Sequence, residues 1–276
     1  MNYVKTFGLM ALMTALFVAV AGWFGGRSAM YIALAFAALF NFGSYWFSDR
    51  VVLRMYRARP LEREEAPGLY DMVDELRQRA GLPMPAIAIS GAPQPNAFAT
   101  GRNPENAAVC VTQGMLQVAD RDELAGVIGH ELAHIKNRDM LIGTVAATLS
   151  AAVVMLARIG FWFGGDDNRG GLIGGLLMLV LAPLAAMLIQ MAISRAGEYR
   201  ADRVGAEISG RPQALASALQ KLEAQARRRP LDVNPSAAHL AIVNPLRAGG
   251  LTSLFRTHPP TEERVRRLEE IARRGV

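Results

Sequence analysis

The sequence predicts a mainly α-helical, polytopic membrane protein with four transmembrane helices and a polar α+β domain containing a small sheet. Three observations carry this prediction. Half of the 276 residues (51%) are hydrophobic, which is too apolar for an ordinary soluble domain. The charged residues are almost excluded from four long stretches of the chain. The remaining segments alternate amphipathic helical patterns with two short apolar runs typical of strands.

The four apolar stretches cover residues 6–26, 28–48, 140–165 and 170–194, and they contain one charged side chain, Arg158. A helix needs about 20 apolar residues to cross a bilayer, and each stretch reaches that length. The first stretch also has the alternative of a signal peptide cleaved near Ala21, but it is longer than a usual signal-peptide core.

The positions of the arginine and lysine residues predict how the protein is oriented in the membrane. They follow the second stretch, precede the third and follow the fourth, whereas the opposite loops carry few of them. By the positive-inside rule, the polar segments face the cytoplasm. We expect residues 1–48 and 140–194 to form two transmembrane hairpins. Residues 49–139 and 195–276 would then be the two parts of one cytoplasmic domain.

Local patterns predict the elements of this domain. Helices are expected at Pro67–Ala80, from Asp120 onward, and at residues 195–209, 212–228 and 261–274. Asp120 and Glu123, three residues apart, predict a capping box at the start of the second of these helices. Short strands are expected at Ala86–Ser90 and Ala107–Thr112, on either side of a stretch rich in Pro, Gly and Asn. The net charge of +6 is explained by topology, so no nucleic-acid partner is expected. The single cysteine, Cys110, excludes an internal disulfide.

The helix that follows Asp120 carries a metal-binding pattern, His130-Glu131-Leu132-Ala133-His134. Residues four apart lie on one face of a helix, so two imidazoles can reach one Zn²⁺ ion. Glu131 lies beside them, where it can act on a water molecule as a general base. The pattern therefore predicts one zinc ion per chain.

A zinc site of this kind needs a third protein ligand. If residues 140–194 form an antiparallel hairpin, residue 134 lies level with residue 200 on the returning helix. Glu198 and Asp202 flank that level and share one helical face, so Glu198 is the expected ligand and Asp202 the group that orients a ligating imidazole. His239 and His258 are alternative ligands, and a solvated acidic face is the alternative without a metal.

These motifs, with Ser194-Arg195 and Thr257-His258-Pro259-Pro260, resemble the HtpX family of bacterial membrane zinc metalloproteases, relatives of the CAAX prenyl proteases. The resemblance implies a gluzincin-like domain in which His130, His134 and Glu198 bind zinc and Glu131 is the general base. It further implies that His258 stabilises an oxyanion and that Asn96 belongs to a substrate-binding edge strand. A turn is the alternative for Asn96, and a helix-entry residue for His258.

The resemblance also implies a multi-pass protein of the bacterial inner membrane with a cytoplasmic active site. Its expected function is the hydrolysis of membrane proteins or unfolded polypeptides in quality control under stress. Two alternatives stay open from the sequence. One is a protease of prenylated peptides, and the other is a membrane scaffold that uses zinc only to fix its fold.

Overall fold

The computed structural model describes residues 2–149, 195–228, 240–243 and 259–275. This part of the chain is mainly helical and contains one small mixed sheet, as the sequence predicts. The third and fourth apolar stretches lie almost entirely outside the described residues, apart from residues 140–149 of the third.

Helix α1 (Asn2–Met55) contains the first two apolar stretches. It is interrupted at Gly26, whose φ of 65° and ψ of −159° are not helical, at the boundary between the first two apolar stretches. The portion Gly26–Met55 is long and apolar enough to cross a membrane, and Val4–Ala19 is a shorter apolar helix. Large side chains on α1 are exposed, among them Phe7, Tyr31, Ile32, Leu39 and Phe42. An exposed apolar surface of this extent is typical of contact with lipid.

A four-stranded sheet follows α1. Its strands are β1 (Ala58–Pro60), β2 (Ala86–Ser90), β3 (Ala97–Gly101) and β4 (Ala107–Thr112). The strand order is β1-β2-β4-β3, with β2 and β4 parallel and the other pairs antiparallel, so β3 forms an edge. The sequence predicted β2 and β4, whereas β3 lies in the stretch for which a turn was the alternative.

The end of α1 packs against this sheet. The rings of Tyr56 and Phe98 lie 4.3 Å apart between centroids, and the Arg102 guanidinium lies 4.6 Å from the Trp46 ring. Phe98 belongs to the edge strand β3. The apolar helix Gly26–Met55 therefore ends beside β3, the edge strand of the sheet, whose residues are buried.

The remaining described helices pack mainly on α4 and on one another. They are α2 (Pro67–Ala80), α3 (Gln113–Val118), α4 (Arg121–Asn137), α5 (Met140–Leu149), α6 (Arg195–Ser209), α7 (Pro212–Arg228) and α8 (Thr261–Arg274). A short 3₁₀ helix, Pro104–Asn106, precedes β4. Helix α4 begins with a capping box in which Asp120 and Glu123 each accept a backbone N–H of the other, as the sequence predicts.

Glycines allow α4 and α6 to pack backbone against backbone. A Cβ atom built on Gly205 would lie 2.7 Å from His130 Cα, and one on Gly129 would lie 2.8 Å from the Gly205 carbonyl oxygen. No real side chain tolerates such distances without movement of the backbone. The missing side chains thus let α6 approach the His130 region of α4 closely around Gly205.

We predict that Gly205→Ala destabilises the protein by about 1–3 kcal/mol, because the added methyl group must push α6 away from α4. The measurement is chemical denaturation of the purified chain in detergent. Gly68→Ala is the matched control, since nothing lies within 4 Å of the position of its added Cβ. Equal stability of the two variants would contradict the tight contact.

Candidate metal centre and active site

The two histidines of α4 converge as the spacing predicts. His130 and His134 are four residues apart, and their Nε2 atoms lie 3.2 Å from each other. The His130 side chain is buried, and His134 remains partly accessible. Two ring nitrogens at this distance can face one bound cation.

Helix α6 brings a carboxylate to the same point. The Glu198 oxygens lie 3.5 Å from His134 Nε2 and 3.9 Å from His130 Nε2. One ligand atom from each of the three residues falls within 4.8 Å of the others, which is an arrangement that can hold a metal ion. The glycine contact between α4 and α6 is what makes this distance attainable.

Asp202 lies one turn further along α6 and contacts the other side of the His130 ring. Its Oδ1 is 3.0 Å from His130 Nδ1, a buried nitrogen with no well-aligned hydrogen-bond acceptor among the described residues. A carboxylate at this position favours the tautomer with a proton on Nδ1 and leaves Nε2 free to bind a metal.

A buried arginine from α8 compensates the charge of Asp202. Arg264 Nη2 and Nε donate hydrogen bonds to the two Asp202 oxygens at 2.7 and 2.9 Å, and Nη1 donates to the Ile242 carbonyl at 2.8 Å. Nη1 also lies 3.8 Å from Glu198 Oε2. Arg264 is only 1% exposed, so a single guanidinium ties α8, α6 and the segment 240–243 together.

The electrostatics of the site favour a cation. Burial alone would raise the pKa of Asp202, but Arg264 and His130 outweigh burial and lower the pKa to about 2. Burial alone would lower the pKa of His134, but Asp139, Glu198 and Glu131 outweigh burial and raise the pKa to about 9. A ring surrounded by that much negative charge is well placed to bind a cation through its nitrogen.

Glu131 points to the edge strand. Its Oε2 accepts a 2.7 Å hydrogen bond from the Ala99 backbone N–H of β3. Burial raises the pKa of the Glu131 carboxyl, although the neighbouring His130 and His134 oppose that shift. A carboxylate with a raised pKa is a stronger base, and this one lies between the histidines and the edge of the sheet.

A second carboxylate flanks the accessible histidine. Asp139 Oδ2 lies 3.6 Å from His134 Nδ1, and Asp139 Oδ1 lies 3.2 Å from Nη2 of Arg200 on α6. Asp139 precedes the apolar stretch that begins at residue 140, and Arg200 follows the one that ends at residue 194. The two polar ends of the segment 140–194 therefore lie side by side.

Asn96 is buried immediately before β3. Its Oδ1 accepts a hydrogen bond from the Ile242 N–H at 3.1 Å, and its backbone N–H and C=O both bond Thr112. The structure thus places Asn96 at the start of an edge strand. His258 and His239 lie outside the described residues.

The sequence did not identify Arg264 or Asp139 as residues of the candidate site. Arg264 stands four residues before Leu268 and seven before Ile271, on the apolar face of α8. An arginine within an apolar helical face was the available signal, because a buried guanidinium needs a buried acid. Asp139 carried no comparable signal, since its contact with His134 depends on the left-handed backbone at Arg138.

Comparisons with known proteins find a family model and relatives that match most or all of the chain. The model of a family described as Peptidase family M48 matches residues 63–272. A protein named Protease HtpX homolog from Salinibacter ruber (strain DSM 13855 / M31) is 56% identical over 277 residues, with both chains covered completely. A namesake from Persephonella marina (strain DSM 14350 / EX-H1) is 54% identical over 284 residues and covers 99% of each chain.

One solved structure shares the fold. The crystal structure of S. mikatae Ste24p matches 97% of this chain with a TM-score of 0.54 and 16% sequence identity. This chain spans 65% of the length of Ste24p. The mainly helical architecture with a small sheet is therefore a fold that this chain shares with Ste24p.

We predict that Arg264→Gln destabilises the folded chain by about 3–5 kcal/mol, because Asp202 would be left as a buried charge without its partner. Denaturant unfolding measures the loss, with Arg273→Gln on the exposed side of α8 as the control. Adding Asp202→Asn to Arg264→Gln should restore part of the stability. A loss no larger than that of the control would contradict the assigned pair.

Proposed function

This chain belongs to peptidase family M48 and is a membrane metalloprotease, and we propose that it is a zinc-dependent endopeptidase of membrane proteins. The resemblance to the HtpX family predicted from the motifs is confirmed by relatives more than half identical over the whole chain. The observation that carries the proposal is the convergence of His130, His134 and Glu198 on one point.

Zinc is the metal that fits this donor set. Two imidazole nitrogens and a carboxylate oxygen form a common protein set for catalytic zinc, with a fourth position left for water or substrate. Two nitrogens bound to a tetrahedral zinc lie about 3.3 Å apart, and His130 Nε2 and His134 Nε2 lie 3.2 Å apart. We assign one zinc ion per chain to His130, His134 and Glu198, with Asp202 orienting His130.

The reaction is the addition of water to a peptide carbonyl. A bound zinc would polarise the carbonyl and make water acidic enough to lose a proton near neutral pH. Glu131 takes the proton from the attacking water and then gives it to the leaving amine. The hydrogen bond from Ala99 fixes one Glu131 oxygen and leaves the other free for this exchange.

The substrate would bind beside β3. In an antiparallel strand alternate residues direct their backbone groups to the same side, and the outward N–H of Ala99 already points at Glu131. An extended peptide added along this edge would bring its carbonyl groups next to the base and the metal ligands. We assign Asn96 to the start of this substrate-binding edge and His258 to stabilisation of the oxyanion.

The position of the site favours membrane-protein substrates. The candidate span Gly26–Met55 ends against β3, and both polar ends of the apolar segment 140–194 lie next to His134. We propose two transmembrane hairpins, residues 1–48 and 140–194, and one catalytic domain formed by residues 49–139 and 195–276. The protein would be a multi-pass protein of the bacterial inner membrane, with its active site on the cytoplasmic side.

A protease whose active site lies at the cytoplasmic surface of the membrane can reach the cytoplasmic loops of membrane proteins and unfolded polypeptides close to the bilayer. Removal of damaged membrane proteins under stress is the role that we propose. We also expect the purified chain to cleave itself, and a chelator should slow this cleavage.

We predict that Glu131→Gln lowers cleavage of an unlipidated membrane protein at least 100-fold, because the amide cannot take a proton from water. The assay follows product formation by gel after both proteins are reconstituted in liposomes. Glu207→Gln, an exposed change of the same chemistry on α6, is the control and should retain activity. Undiminished activity of Glu131→Gln would exclude Glu131 as the base.

A prenylated peptide tested in parallel decides between substrate classes. Cleavage of the membrane protein without cleavage of the prenylated peptide is the expected result. Cleavage of the prenylated peptide alone would replace the proposed substrate class and leave the catalytic assignment intact.

A further inference from the structure

A basic groove of about 780 Å³ lies between α6 and α8, and none of the metal ligands lines it. Each helix contributes one face at helical spacing: residues 196, 199, 200 and 203 from α6, and residues 266, 267, 270, 271 and 274 from α8. Five arginines line the groove against a single acid, Glu270; they are Arg200, Arg203, Arg266, Arg267 and Arg274.

Internal pairing accounts for only part of this charge. Arg200 pairs with Asp139, while Arg266 and Arg267 share Glu263. Arg266 also pairs with Glu270, the acid of the groove. Arg267 also lies 3.8 Å from the centre of the Tyr199 ring. Within the described ranges, Arg203 and Arg274 are exposed and make no ion pair or hydrogen bond. Two guanidinium groups therefore remain available to an anion from outside.

The groove lies next to the ends of the apolar segment 140–194. Ala196 is two residues beyond that segment, and Arg200 contacts Asp139, the residue before it. If the segment crosses the bilayer, as the proposed function assumes, the groove opens at the level of the lipid headgroups. Ala196, Ile271 and the Tyr199 ring add an apolar part to its wall.

We propose that this groove binds the phosphate headgroup of an anionic phospholipid. Guanidinium groups match phosphate oxygens in charge and geometry, and basic residues at a membrane surface attract anionic lipids. The apolar part of the wall suits the glycerol region of a lipid. A bound headgroup would hold α6 and α8 at a fixed height above the bilayer. Because these helices carry Glu198 and Arg264, the lipid would also stabilise the metal site.

The test uses the full chain carrying Glu131→Gln in detergent, so that it does not digest itself. Calorimetric titration with short-chain phosphatidylglycerol should show saturable binding, and titration with the phosphatidylcholine of equal chain length should not. The double variant Arg203→Gln/Arg274→Gln should bind phosphatidylglycerol about 25-fold more weakly, since each arginine near an anionic lipid contributes about 5-fold. The control pair Arg121→Gln/Arg273→Gln removes the same charge from exposed positions outside the groove and should bind normally.

Three results would overturn the lipid assignment. Equal affinity of both double variants would exclude the groove. Binding of inorganic phosphate as tight as that of phosphatidylglycerol would indicate a free-phosphate site, and binding of an acidic peptide without lipid would indicate a peptide-docking surface. Proteolysis measured on the same variants with Glu131 restored separates the two proposals, because loss of lipid binding with intact cleavage leaves the proposed function standing.

Discussion

The close contact between α4 and α6 is the constraint on which the site depends. Gly129 and Gly205 let the two helices touch at backbone distance, so a carboxylate on α6 comes within reach of imidazoles on α4. Larger residues at these positions would separate the helices, and Glu198 would then lie too far from the histidines to share a cation with them. The metal group is therefore a consequence of helix packing as much as of the ligands themselves.

The same packing also buries several negative charges close together. Glu131, Glu198 and Asp202 are all buried close together, and burial of uncompensated carboxylates is costly. Arg264 supplies one positive charge with two well-formed hydrogen bonds to Asp202, and a metal ion would supply the rest. Arg264 also donates a hydrogen bond to the Ile242 carbonyl, and Asn96 accepts one from the Ile242 N–H. The segment 240–243 therefore connects Arg264, beside the metal ligands, to the start of the edge strand.

The sequence predicted those parts of the structure that depend on local spacing. The His130–His134 pair, the capping box at Asp120 and the helices α2, α6, α7 and α8 follow from periodicity and end signals within one segment. The placement of Glu198 and Asp202 was reached by assuming a symmetric hairpin. The sequence signal for the edge strand β3 was weaker, because Pro95 and Asn96 favour a turn. The pairing of β3 with β4 makes residues 97–101 a strand.

Features that depend on contacts between distant segments could not be read from local patterns. Arg264 meets Asp202 only when α8 packs on α6, and Asp139 meets His134 only because the chain turns at Arg138. The number of membrane spans is a further case. Among the residues described, only Gly26–Met55 has the length and hydropathy of a span, so the four predicted spans stay a prediction.

The central claim is that His130, His134 and Glu198 together hold one zinc ion. Elemental analysis of the detergent-purified chain carrying Glu131→Gln tests it directly, beside the same protein with Glu198→Ala added. The account predicts close to one zinc per chain in the first protein and little in the second, since removal of Glu198 leaves only two ligands. Absence of zinc from the first protein, or equal zinc in both, would contradict it.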